Sequence, residues 1–336
     1  MKKIKLCKIN ILTLLLLVLL NINQIKVFAL NKNNGEIDRN SYDFTFVVES
    51  DTQYYNEDTK DNPKIVGKYQ HIINMHNWII QNQSKMNIQY VFHTGDIVDN
   101  SDMISQWENA DKAFKILDDA QIPYGILAGN HDIYQNNKDY STYSEYFGEN
   151  RFINNPWYGG SYKNNRGHYD LISVCGIDFL MMYVGWGIED EEIAWMNDIL
   201  KKYPDRKVIL NFHEYLLPNG KLQEEEQKIF NEVISTNKNV FMVLCGHYHN
   251  AELTVCELDD DFDGKKDRKV YQMLFDYQSL PEGGMGYLRL IHFDVKGNKI
   301  LIRTYSPSLN LYNAKENVEL GDTISGEESF EIEFIN

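Results

Sequence analysis

The sequence predicts an α/β protein, and three observations carry that expectation. Short β-rich runs alternate with helical ones between residues 44 and 127, the pattern of parallel strands joined by helical crossovers. After about residue 251 the chain turns almost wholly to β-rich runs. The composition, 43% hydrophobic and 24% charged, is that of a globular chain, and 13% aromatic residues supply a large core.

The elements follow in order. Phe44 to Val48 is a β-rich run ending near Asp51. Beyond Pro63, Tyr69, Ile72, Ile73, His76, Ile79 and Ile80 recur at three and four residues, one face of a helix. Ile88 to Phe92 is the next strand. Met103, Trp107, Ala110, Ala113, Phe114 and Leu117 mark a second helix, and Pro123 to Leu127 a third strand. Strands are then expected near 169–174, 178–184, 208–212 and 240–245, with helices near 189–202 and 223–235. Further strands are expected near 251–257, 270–277, 286–294 and 299–305. No period of 20 to 50 residues repeats, which excludes a solenoid.

The chain of 336 residues carries 49 acids against 33 bases, a formal charge of −16. Such a surface repels phosphate backbones, so no long nucleic acid is expected as a partner. It does not exclude a phosphate-bearing substrate, because a local metal charge outweighs a distant field. Lys2, Lys3, Lys5 and Lys8 precede an apolar run from Ile11 to Leu20, about half the length that spans a bilayer. Val27 and Ala29 then stand at the −3 and −1 positions of a cleavage site. The expected organisation is a signal peptide over 1–29 cut after Ala29, a polar linker over 30–42, a catalytic domain over 43–310 and an acidic C-terminal extension over 311–336 packed on the same domain. The mature protein is therefore expected to be secreted, with no stable membrane span. Cys175, Cys245 and Cys256 match no zinc knuckle and read as small core residues, with one bridge left open.

Potential metal ligands cluster where strands end. Asp51-Thr52-Gln53 follows the first strand, Gly95-Asp96 with Asp99 the second, and Gly129-Asn130-His131-Asp132 the third. His213 follows the run ending at Phe212, and Gly246-His247-Tyr248-His249 follows Cys245. The carboxyl ends of strands are where open α/β sheets bind ligands. Two neighbouring divalent ions need a shared anionic bridge, which Asp96 can supply. Imidazoles and amide oxygens complete each shell without adding charge.

This order, D-x-Q, G-D-x-x-D, G-N-H-D, H, G-H-x-H, resembles the calcineurin-like metallophosphoesterase superfamily, in a secreted bacterial-type branch whose first motif is D-x-Q. The resemblance covers roughly residues 43 to 306. It implies a sandwich of two mixed β-sheets flanked by helices, with a dimetal site at the strand ends. It implies that Asp51, Gln53, Asp96 and His249 hold one ion, and that Asp96, Asn130, His213 and His247 hold the other, with Asp96 bridging. His131 would sit beside the leaving group and Asp99 would orient it. The superfamily usually has D-x-H where Gln53 stands. An amide oxygen is a harder, weaker ligand than imidazole, which favours Mn or Fe over Zn at that site. The two divalent ions are thus expected to be Mn, Fe or Zn. The implied activity is metal-dependent hydrolysis of a phosphomonoester or phosphodiester by attack of a metal-bridging hydroxide. Rival readings are a protein Ser/Thr phosphatase of the same fold and a non-catalytic, metal-stabilised surface binding module.

Two other stretches invite a reading. Phe147 to His168 mixes aromatics with arginine between the third motif and the next strand. Arg151, Trp157, Tyr158, Arg166 and His168, together with Tyr54, are the candidate substrate-binding residues. Asp259, Asp261, Asp263 and Asp267, with Gly264 at the sixth position, resemble a calcium loop, although position 12 is Val270. His71, His76, His93 and His292 read as packed, hydrogen-bonded histidines.

Overall fold

A computed structural model of the protein describes residues 35–56, 69–133, 138–316 and 324–334. The expected leader, 1–29, lies outside the described residues. Two seven-stranded mixed sheets face one another, with helices on both outer faces.

The first sheet is built on β1 (Phe44–Glu49), β2 (Ile88–His93) and β3 (Tyr124–Ile126), which are parallel. Its crossovers are α1 (Gln70–Met86) and α2 (Ile104–Asp119). The remaining strands of this sheet come from the end of the chain. β11 (Leu288–Asp294) pairs antiparallel with β1, and β12 (Lys299–Ser306) with β11. β13 (Leu311–Tyr312) and β14 (Phe330–Glu333) both pair with β12. Residues beyond 310 thus take part in the sheet.

The second sheet runs β4 (Tyr158–Tyr162), β5 (Gly167–Val174), β6 (Ile177–Val184), β7 (Lys207–Phe212), β8 (Val240–Cys245), β10 (Arg268–Phe275) and β9 (Ala251–Leu258). Its centre, β6 through β8 to β10, is parallel. On its outer face lie α3 (Asp190–Lys202) and α4 (Glu224–Ile229).

Every residue of β1 is buried, because both faces of this strand are covered. Phe44, Phe46 and Val48 point between the sheets, where they meet Phe179 of β6 and Phe293 of β11 in edge-to-face and stacked pairs. Val47 points the other way, onto Ile72, Met75 and Ile79 of α1 and Phe114 of α2. α1 ends where Asn87 turns left-handed, at φ 52°, and donates its N–H to Gln83 O. α3 opens on a capping box between Glu189 and Glu192 and ends on Lys201 and Lys202, both favourable to the helix dipole. His71, His76, His93 and His292 are all hydrogen-bonded within the fold.

One stretch departs from expectation. Phe147–His168 is not a rim loop: it contains β4, and His168 lies within β5. The aromatics read as a loop wall are those a hairpin needs to pack against its neighbours. Gly159 and Gly160 lie against the Tyr169 ring, which interrupts the alternation that would have marked the strand.

Candidate metal centre

β1, β2, β3, β7 and β8 all end at one edge of the sandwich, and the five motifs occupy the turns beyond them. Three site residues hold left-handed backbone: Asp51 at φ 50°, Asp96 at φ 53° and His247 at φ 70°. Each such residue costs on the order of 1–3 kcal/mol, and such strain concentrates at functional sites. Two glycines make the turns fit. A Cβ on Gly129 would stand 2.1 Å from Asp96 Oδ1, and one on Gly246 would stand 2.2 Å from Asp51 Oδ2.

Four donor atoms converge on one point. Nε2 of His213 lies 3.0 Å from Asn130 Oδ1, 3.1 Å from His247 Nδ1 and 3.4 Å from Asp96 Oδ1. His213 Nδ1–H donates to Thr94 O at 2.9 Å, which turns Nε2 toward the cluster. Two imidazole nitrogens, a carboxylate oxygen and an amide oxygen form a donor set suited to Mn, Fe or Zn. The ligand atoms of Asp96, His213 and His247 all lie within 4.8 Å of one another. The structure thus brings together the four residues expected around one ion.

The other expected set is joined less tightly. Asp51 receives the His247 N–H at 3.2 Å and approaches His213 Nδ1 at 4.0 Å. Gln53 opens a single helical turn, Gln53–Asn56, and donates Nε2–H to Asp96 Oδ2 at 3.0 Å. Its Oε1 is buried without a hydrogen-bond partner. An orphaned buried amide oxygen is costly, and a cation beside it removes that cost. His249 stands apart: its half-exposed ring meets Gln278 Nε2 at 2.9 Å and Asp276 Oδ2 at 4.0 Å, and hydrogen-bonds neither Asp51 nor Gln53.

The charges explain the protonation states. Burial lifts the Asp51 carboxyl well above its ordinary range, and Asp276 and Asp96 add to the effect. Burial would also lift Asp96, but His213 and His131 hold it below the usual carboxylate range. Burial opposes protonation of His213, yet Asp96 and Asp51 push it up to about 10. Burial and His213 push His247 down to about 4. Asp99 raises His131 to about 9 against the opposing effect of burial. His131 Nδ1–H donates to the Asp99 carbonyl at 2.8 Å and lies 3.3 Å from its carboxylate, while its backbone N–H donates to Asp96 at 3.0 Å. Asp132 is structural here: it accepts from the N–H groups of Ile97, Val98 and Gly129 and ties the second and third turns together.

Several of the candidate substrate residues are engaged within the fold, Arg151 and His168 most fully. His168 is 1% exposed and stacks on Tyr183, with burial pushing it down to about 3. Arg151 pairs with Asp111 and Asp118 and lies over the Phe147 ring. Arg166 pairs with Glu192 and donates to Gly187 O. Tyr158 donates to Asn165, Trp157 packs against the inter-sheet core, and Tyr54 is half-buried beside Gly283. Arg151, in a short helix before β4, pairs with α2, and Arg166, in the turn after β4, pairs with α3.

Residues outside the motifs complete the surroundings. Trp186, two residues past β6, sets its ring 5.2 Å from that of His247 and 5.9 Å from that of His213. Tyr248 flanks His247 on another side at 4.6 Å and donates to Glu214. Asp276 and Gln278, just past β10, are buried. The Gly185-Trp186-Gly187 run at a strand end was the available signal for Trp186. Asp276-Tyr277-Gln278 repeats the D-x-Q spacing of the first motif. Remote from these, Asp259, Asp261 and Asp267 also bring carboxylate oxygens together, on an exposed turn between β9 and β10. Asp263 there hydrogen-bonds through its backbone to Asp259 and Asp261.

Comparison with known proteins gives the same direction. A family model described as calcineurin-like phosphoesterase matches residues 44–251. The chain is 52% identical over 290 residues to the uncharacterized protein YvnB of Bacillus subtilis strain 168, covering 86% of this chain and 21% of that one. It is 25% identical over 190 residues to a probable glycerophosphodiester phosphodiesterase, GpdQ, of Arcobacter nitrofigilis, covering 52% of this chain and 61% of that one. The chain therefore spans about a fifth of the first relative and three-fifths of the second. Among solved structures, a dimetal phosphatase from Danio rerio superposes with a TM-score of 0.54 at 11% identity, over 88% of this chain and 100% of that one. A purple acid phosphatase from yellow lupin seeds superposes with a TM-score of 0.52 at 15% identity, over 89% of this chain and 55% of that one. These two likenesses concern the fold.

Proposed function

Since this chain belongs to the calcineurin-like phosphoesterase family, we propose that it is a metal-dependent phosphoester hydrolase with two divalent ions at the strand-end cluster. The observation that carries the reading is the convergence of His213 Nε2, Asn130 Oδ1, His247 Nδ1 and Asp96 Oδ1 within hydrogen-bond range of a common point. Asp96, Asn130, His213 and His247 would hold one ion, and Asp51, Gln53, Asp96 and His249 the other. Bound there, divalent ions supply Lewis-acid charge and lower the pKa of water.

The chain's own residues do the rest. Asp96 offers one oxygen toward His213 and the other toward Gln53, so it can face both sites at once. Asp99 holds His131 through Nδ1 and favours its protonated form. Nε2–H is then the proton available to the departing oxygen of the ester. Trp186 and Tyr248 flank the His247 ring at the approach to the cluster. The likeness to GpdQ favours a phosphodiester over a monoester as the substrate to test first. Export belongs to the same reading, on the strength of the basic start and the apolar run from Ile11 to Leu20.

The test is to strip the purified protein with chelator, add back Mn, Fe, Zn or Ca, and follow hydrolysis of mono- and bis-(4-nitrophenyl) phosphate. Mn or Fe is expected to restore the most diester turnover, and Asp96→Asn to lose on the order of 10²–10³ of it. A chain that no metal activates would be a binding module, and faster turnover of a phosphopeptide would make it a protein phosphatase. Export is checked by N-terminal sequencing of protein from the medium, where any start other than Leu30 goes against cleavage after Ala29.

A further inference from the structure

β10 pairs in parallel with β8, with Leu274 opposite Cys245. That register carries the turn after β10 to the same edge as His247 and His249. Asp276 donates its N–H to Asn250 O at 2.9 Å, which ties it to the end of the G-H-x-H segment. Its carboxylate is fully buried. Oδ1 accepts the Gln278 N–H at 2.8 Å and Oδ2 accepts Gln278 Nε2–H at 3.3 Å. Among the described residues its only ion-pair contact is His249, at 4.0 Å.

Asp51 and Asp276 are both buried at this edge, and a buried carboxylate without a cation partner loses hydration, at a cost of several kcal/mol. No described lysine or arginine forms a salt bridge with Asp51 or Asp276. A second signal points the same way. Gln278 is 6% exposed, and its Oε1 has no hydrogen-bond partner, although its Nε2 touches both Asp276 and His249. Gln53 shows the same pattern on the other side: buried, donating Nε2–H to Asp96, with Oε1 orphaned. Two D-x-Q segments, at the ends of β1 and β10, therefore place two buried carboxylates and two unpartnered amide oxygens around one region. Excess negative charge together with bare oxygen acceptors is the condition that a divalent cation satisfies.

We propose that Asp276 and Gln278 are positioning residues of the first cation site, holding His249 and adding a buried negative charge where Gln53 stands in for a stronger imidazole donor. The proposal rests on the metal-centre reading above, and no family motif assigns either residue. Carboxylates and amides that orient a metal-binding histidine typically change metal affinity by about 10–100-fold when removed.

The experiment counts ions, without substrate. Full-length wild type, Asp276→Asn and Gln278→Leu are chelated and reloaded with Mn(II). Bound Mn is then measured by elemental mass spectrometry, and affinities by calorimetric titration. The wild type is expected to take two ions per chain. Asp276→Asn should keep one at wild-type affinity and bind the other about 10–100-fold more weakly, with Gln278→Leu shifted in the same direction. A cooperative melt of the chelated Asp276→Asn protein shows that a folded chain is being compared, and loss of one ion at unchanged affinity for the other is the readout that a merely structural aspartate would not give. Should Asp276→Asn fail to fold, Gln278→Leu must show the selective loss by itself. Two ions at wild-type affinity in both variants would overturn the proposal. Fewer than two ions in the wild type would overturn it together with the metal-centre reading. Selective loss of one ion supports it even in a chain that hydrolyses none of the esters offered.

Discussion

Trp186 illustrates how a single side chain acquires meaning only from what surrounds it. Its N–H donates to Ala128 O, and its carbonyl accepts from Tyr140, so the indole is held at the mouth of the metal cluster by backbone bonds at both ends. A rigid ring there should stack on an aromatic ester group. Trp186→Ala is expected to raise KM for bis-(4-nitrophenyl) phosphate about 3- to 10-fold, leave kcat within about twofold, and spare a small alkyl diester. Equal KM shifts for both substrates would remove its role in recognition. The convergence of Asp96, Asn130, His213 and His247 was legible in the sequence, because each is a polar donor placed in the turn after an apolar run. Arg151 and His168 misled for the opposite reason. An arginine that bridges Asp111 and Asp118 looks, in one dimension, like an arginine that greets a phosphate.

At the level of the element, the turns beyond β3 and β8 set the precision of the site. They bring backbone so close to the carboxylates that no side chain fits. Gly129→Ala would push a methyl group into Asp96 Oδ1 and its backbone N, at 2.1 and 2.5 Å. It should cost about 1–3 kcal/mol and abolish stoichiometric Mn binding. Gly176→Ala is the control. Unlike Gly129 it has positive φ, 80°, but nothing lies within 4 Å of the added Cβ. It should cost only about 1–2 kcal/mol of conformational strain and leave metal content intact. Thermal melts with metal analysis distinguish the two, and equal metal content in both variants would show that the Gly129 turn is not what shapes the cage. Most strands and helices were readable from periodicity. β4 was not, because glycines interrupt its alternation and all five of its residues are half-buried.

Across the whole molecule, histidines buried in the body of the sandwich set how stability depends on pH. His168 and His292 lie in the body of the sandwich, and burial pushes each down to about 3. An unfolded histidine titrates near about 6.5. Between those values the unfolded chain takes up protons that the folded chain refuses. Stability is therefore fully present above about pH 6.5 and is lost as pH falls toward 3, at roughly 1 kcal/mol per pH unit for each histidine. Melting temperature should fall between pH 7 and 5. His292→Asn should flatten that slope, because Asn does not titrate, whether or not it also lowers the midpoint. An unchanged slope in the chelated protein would show that His292 is not held neutral in the fold.

The sequence alone determined the class of element, the order of the motifs and the chemistry of the donors, since these depend on local periodicity and residue type. The likeness in motif order reached as far as the two-sheet sandwich. Which side chains meet was decided only by the tertiary structure. β10 enters the second sheet between β8 and β9, so Asp276 arrives beside His249 although 27 positions separate them in the chain. β6 delivers Trp186 to His247 in the same way. Such meetings follow from sheet order and register, which arise from the packing of whole faces and leave no mark at the residues they join.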